Sequence, residues 1–87
     1  MDRERIKSTL EGILGSVRPM EGADASQSLF SMRNGYAPRD MVVVLMRLKE
    51  ALGIDINALV KSLGGYTIED LADGVSLCLE AQKALAV

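Results

Sequence analysis

Few side chains in this sequence are equipped for chemistry: a lone Cys78 and an acidic trio, Glu69, Asp70 and Asp73. Histidine is absent, which removes the commonest general base and the commonest metal ligand together. One cysteine cannot close an internal disulfide, and without histidine it cannot anchor a usual zinc site. Cys78 falls on an apolar helical stripe, where a thiol reads as buried core. The acidic trio occupies the early part of a helical segment, where carboxylates complement the positive end of the helix dipole. That role accounts for them, and one helical turn without a glycine-containing calcium loop offers a metal few ligands. Catalysis, a cofactor and a metal are therefore not expected.

At 87 residues the chain has room for one domain, 1–87, and a single small core. Hydrophobic residues make up 48% of it, too many for a disordered tail. The aromatics are only Phe30, Tyr36 and Tyr66, too few for a base-stacking platform, and a net charge of −2 argues against neutralising phosphates. No nucleic-acid partner is expected. The opening Asp2-Arg3-Glu4-Arg5-Ile6-Lys7 mixes charges and leads into no apolar run, so a signal peptide is not expected. The longest apolar run, 41–46, is far too short to span a bilayer. The expectation is a cytoplasmic protein with no membrane role.

The elements follow from periodicity. Ile6, Leu10, Ile13, Leu14 and Val17 form one stripe of a 3.6-residue repeat, which predicts a first helix ending before Pro19. Residues 19–37 show no period and read as a long loop, with Leu29 and Phe30 expected to plug onto the bundle and a turn at Arg33-Asn34-Gly35. Pro38 suits the first position of a second helix and Asp40 its dipole. Its core stripe is Met41, Val44, Leu45, Leu48 and Leu52, and Gly53 stops it. Asn57 is expected to cap a short third helix over 58–63, ended by Gly64-Gly65. Thr67 with Asp70 resembles a capping box for a last helix carrying Ile68, Leu71, Val75, Cys78, Leu79 and Leu85. The fold class is all-α: a small four-helix bundle with a long first loop and a short third helix.

The second helix is apolar on two sides. Its outward set, Arg39, Val42, Val43, Met46, Lys49 and Glu50, includes three large apolar residues. Such a helix is either buried all round or presents one side to a partner. All-round burial is hard to arrange in a domain of this size. The competing arrangement has the three packed beneath the loop at Leu29 and Phe30.

With the elements placed, the segment Leu29-Phe30-Ser31-Met32-Arg33-Asn34-Gly35-Tyr36-Ala37-Pro38-Arg39-Asp40 resembles the Leu-Phe-x-x-Gly-x-Asp-Ser-Leu-Asp signature of acyl carrier proteins. The run that follows, through Gly53-Ile54-Asp55-Ile56, is similar to their second helix and its closing Gly-Ile-x-Ile segment, and Thr67-Ile68-Glu69-Asp70-Leu71 to the start of their last helix. The resemblance covers nearly the whole chain and implies a bundle of acyl-carrier-protein type. In that family a serine at the start of the second helix receives the phosphopantetheine arm. Aligning residues 48–56 places Pro38 at the serine position and Ala37 at its preceding aspartate, with Arg39 for the leucine and Asp40 keeping the second acid.

Proline has no hydroxyl, so no phosphodiester can form there. Two extra residues, Arg33 and Asn34, precede Gly35. Residues 31–50 carry four cations against two anions, where the family presents acidic second helices to basic enzymes. The resemblance thus implies a protein–protein interaction module, without the prosthetic group, in a fatty-acid, polyketide or peptide biosynthetic system. Its expected contact residues are Arg39, Val42, Val43, Met46 and Lys49, and the expected state is a monomer that docks on a protein, such as a biosynthetic enzyme. The alternative is a genuine acyl or aminoacyl carrier whose attachment site is displaced to Ser28 or Ser31.

Overall fold

Helix starts in this protein are set by acidic side chains that accept backbone N–H groups of the first turn or of the residue before it. The computed structural model describes residues 2–18, 24 and 26–85, the last three without side chains. In helix α1 (Arg3–Val17), the Asp2 carboxylate accepts the Arg5 N–H at 2.8 Å. Ile6, Leu10 and Leu14 are buried, with Ile13 and Val17 packed at the margin of the same core. The helix ends at Val17 as the spacing predicts, although Pro19 itself lies outside the described residues.

Helix α2 (Pro38–Leu52) begins with proline at its first position, and the Asp40 carboxylate accepts the Ala37 N–H at 2.9 Å. Ala37 has no side-chain acceptor of its own, so only this half of a capping box forms. Met41, Val44, Leu45 and Leu48 are buried and Leu52 is half-buried. Gly53 closes the helix at φ +67°, a left-handed conformation that favours glycine, and its N–H donates to the Lys49 carbonyl.

Helix α3 (Ile56–Ser62) departs from the expectation. Its cap is Asp55, whose carboxylate accepts the Asn57 N–H at 2.9 Å, so the helix begins two residues before 58 and ends at Ser62. Asp55 stands extended at φ −78°, ψ 119°, the conformation a capping residue needs, and this draws Asn57 into the first turn. Helix α4 (Ile68–Leu85) has the expected reciprocal cap. The Asp70 N–H donates to Thr67 Oγ1 at 3.0 Å, and the Thr67 N–H to Asp70 Oδ2 at 3.3 Å. Ile68, Leu71, Val75 and Cys78 are buried and Leu79 is packed at the margin; the side chain of Leu85 lies outside the described residues.

The helices close a ring around one core: α1 packs on α2 and α4, and α3 packs on α4 and α2. No strand occurs among the described residues. The α1–α4 seam is tight and carries exposed ion pairs from Arg3 to Glu69 and Asp73 and from Lys7 to Glu69. The α3–α4 seam closes over Gly74, where a Cβ would stand 2.9 Å from Leu63 Cδ2 and 3.0 Å from Leu59 Cδ1. The α2–α3 seam is the loosest of the four. No described helix is long and apolar enough to cross a membrane.

Candidate docking face on helix α2

The loop that delivers the chain to Pro38 is held by a side chain whose part the sequence reading did not foresee. Asn34 is 7% exposed. Its Oδ1 accepts the Asp24 N–H at 2.8 Å, while its amide donates to the carbonyls of Ser28, Asp24 and Gln27 at 2.9, 3.0 and 3.3 Å. One amide thus gathers three loop residues. Gly35 follows at φ +73°, completing the expected turn.

Leu29 is the plug. It is fully buried, donates its N–H to the Tyr66 carbonyl at 2.8 Å and accepts the Tyr36 N–H at 2.9 Å. Phe30, expected to plug beside it, is 39% exposed and lies tilted against the Tyr66 ring with centroids 4.9 Å apart. The turn through Leu29 and Phe30 sends adjacent side chains in different directions, and only one reaches the core. Tyr36 is buried instead, its hydroxyl 2.7 Å from the Leu14 carbonyl and 3.3 Å from that of Arg18. It thereby adds a donor to the Leu14 carbonyl, which also accepts the Arg18 N–H, meets the Arg18 carbonyl beyond the helix end, and holds the entry to α2 against α1.

The outward face of α2 then stands clear. Val42 is 56% exposed, Val43 39% and Met46 53%, and none packs beneath the Leu29–Phe30 loop. Arg39, Lys49 and Glu50 on the same side are exposed as well. Arg47 turns the other way, donating to Ser16 Oγ at 2.5 Å and latching α2 to α1. The structure therefore brings Arg39, Val42, Val43, Met46 and Lys49 onto one helix surface: an apolar centre with Arg39 at one end and Lys49 beside Glu50 at the other.

At the loose α2–α3 seam a groove of about 450 Å³, open to solvent, is lined by Met46, Lys49, Glu50 and Ile56. A second groove, also about 450 Å³, continues past Lys49 to Gly53, Ile54, Asp55 and Gln82. Gln82 donates to the Gly53 carbonyl at 3.0 Å and ties the far end of α4 to the end of α2. Its buried Oε1 has no hydrogen-bond partner among the described residues.

The remaining candidates are committed to structure. Burial, partly offset by the Ser62 hydroxyl, pushes the Cys78 thiol above its usual range, the reverse of what a nucleophile needs. Asp70 is used in the α4 cap, while Glu69 and Asp73 pair with α1. Hydrogen bonds from Lys7 and then Arg3 hold the Glu69 carboxyl below its usual value. No metal-ligating cluster occurs among the described residues. Ser28 and Ser31 are half-buried in the loop, their hydroxyl oxygens accepting the N–H groups of Phe30 at 3.2 Å and Asn34 at 3.3 Å. Pro38 occupies the first turn of α2 and offers no hydroxyl.

The chain matches no protein-family model, no curated protein and no solved structure.

Proposed function

We propose that this chain is an acyl-carrier-protein-like scaffold without the covalent arm, acting as a protein–protein interaction module in a fatty-acid, polyketide or peptide biosynthetic system. The observation that carries this reading is the exposed Val42, Val43 and Met46 cluster on α2, rimmed by Arg39 and Lys49. Apolar anchors inside a polar rim suit a modest protein interface, since the centre supplies affinity and the charges select the partner. Two further features support it. Pro38, which the resemblance aligns with the carrier serine, opens the same helix. The four helices also follow the carrier order of long, long, short and long, with a long first connection.

A partner recognised by this face presents an apolar hollow with an acidic group toward Arg39, where the family's enzymes present basic patches to acidic carrier helices. A displaced arm on Ser28 or Ser31 is the alternative reading, and both serines sit in the loop rather than at a helix start, where the family's serine is modified.

The test is the double substitution Val43→Asp with Met46→Asp. Both positions are exposed, so the variant keeps its helical circular dichroism, and it loses the biosynthetic enzyme that co-purifies with the wild type. Unfolding of the variant, or unchanged binding, refutes the docking face. Intact mass of the protein from its native host tests the missing arm, since a prosthetic group on any serine overturns that part of the reading.

A further inference from the structure

We propose that the outer face of α2 is self-complementary and that its occupant is a second copy of this chain, the two α2 helices lying antiparallel across a two-fold axis. The inference rests on the docking-face reading above and replaces the expected monomer with a weak dimer.

Arg39, Val43, Met46 and Glu50 fall at i, i+4, i+7 and i+11, a single ridge of an α-helix, and all four are exposed. Eleven residues make about three turns, so Arg39 and Glu50 mark the two ends of a ridge about 16 Å long. The order along it is cation, apolar, apolar, anion. A two-fold interface brings the same surface of each copy together, so residue i meets j while j meets i. Antiparallel pairing centred between Val44 and Leu45 sets Arg39 against Glu50 of the other copy, and Val43 against Met46, each contact occurring twice. A parallel pairing would set Arg39 on Arg39 and Glu50 on Glu50. Charge therefore selects one orientation.

The flanks agree with this arrangement. Val42 widens the apolar centre on one side of the ridge. Lys49 lies farther round the helix at the edge of the α2–α3 groove, beside Met46, Glu50 and Ile56, and can lay its stem along the apolar surface with the ammonium in water. The groove gives the facing valine of the second copy a recess next to Met46.

One helix face is small beside the roughly 800 Å² per partner of a standard interface, so the dimer is weak, with a dissociation constant on the order of 100 µM.

The experiment is sedimentation velocity on the full chain over a concentration series, with circular dichroism on each variant to verify folding. The wild type shifts from monomer to dimer as concentration rises, and Val43→Asp with Met46→Asp stays monomeric. Arg39→Glu alone, or Glu50→Arg alone, weakens the dimer roughly tenfold, because each reversal spoils two symmetric surface pairs. Mixing the two charge-reversed chains restores association, since each then supplies what the other lacks; Arg39→Gln gives an intermediate loss. A wild type that remains monomeric throughout, a dimer indifferent to the double aspartate, or a mixture no stronger than its components overturns the proposal. The two readings fail separately. A strict monomer that binds a biosynthetic enzyme through Val43 and Met46 sinks self-pairing and keeps the docking face. A dimer with no such enzyme partner keeps the face and its self-pairing and sinks the biosynthetic-enzyme partner.

Discussion

Replacing Asn34 removes the organiser of the loop that leads into α2. Its amide makes one accepted and three donated contacts, at 2.8 to 3.3 Å, to the backbone of Asp24, Gln27 and Ser28. The side chain is almost wholly buried, so water has little room to replace it after truncation. With about 1 kcal/mol net for each well-formed bond, and the three-way donation counted as two because the amide has two hydrogens, Asn34→Ala loses about 2–3 kcal/mol. A chain this size has roughly 4–13 kcal/mol of total stability, so the loss is large. Asn34→Asp keeps the acceptor and turns a second oxygen toward three carbonyl oxygens. Its ionised form is disfavoured in the fold, so its folded pKa is raised above that of the unfolded chain. The sign follows: the aspartate variant is most stable below the unfolded carboxyl pKa of about 3.9 and loses stability as pH rises through the folded value. Urea unfolding followed by circular dichroism at neutral and acidic pH measures both. A loss under about 0.5 kcal/mol for the alanine variant, or a pH dependence of opposite sign for the aspartate variant, refutes the assignment of Asn34 as the loop's anchor.

Other substitutions test separate parts of the fold. Tyr36→Phe leaves the Leu14 and Arg18 carbonyls without their hydroxyl partner and lowers stability by about 1–1.5 kcal/mol in the same urea assay. Gly12→Ala meets nothing within 4 Å in α1 and raises stability by about 0.5–1 kcal/mol, visible as a higher urea midpoint at constant slope. Glu69 has a depressed pKa, so its pairing with Lys7 and Arg3 stabilises the fold above the usual carboxyl value of 4.5 and is lost as pH falls through the folded one. Glu69→Gln flattens the stability profile in that acidic window, and high salt flattens the wild-type profile in the same direction.

The helices were legible because their signals are local. Pro38, Gly53 and the Thr67–Asp70 pair each lie within a few residues of an apolar stripe, so cap and period point to the same boundary. The third helix was displaced because Asp55 and Asn57 are both able to cap, and residue type alone does not choose between them. The choice is made by the chain geometry after Gly53, which buries Ile54 and leaves Asp55 extended. Leu29 and Phe30 were likewise indistinguishable by hydrophobicity, and only the loop's path decides which enters the core. Asn34 and Tyr36 carried no periodic signal at all. Their partners lie 6 to 22 residues away in sequence, in contacts that exist only once the loop has folded on itself, for Asn34, or met α1, for Tyr36.

The α2 face was legible for a physical reason that also bears on its use. A helix in a four-membered ring touches two neighbours and the core between them. Its remaining arc is left to solvent, whatever residues occupy it. Met41, Val44, Leu45 and Leu48 already fill the inward arc of α2, while Arg47 and Ser16 occupy its flank toward α1. No rotation of α2 can therefore bring Val42, Val43 and Met46 inside without expelling the buried set. Burying a Val or Met side chain is worth about 1.5–3 kcal/mol, so leaving three half-exposed forgoes stabilisation that this small core has few other means to replace. The fold gains only part of their burial, whereas an interface gains the rest without having to build the helix that presents them. The groove beside Met46 was less legible, because it depends on how loosely α3 meets α2, a crossing that no pattern within either helix encodes.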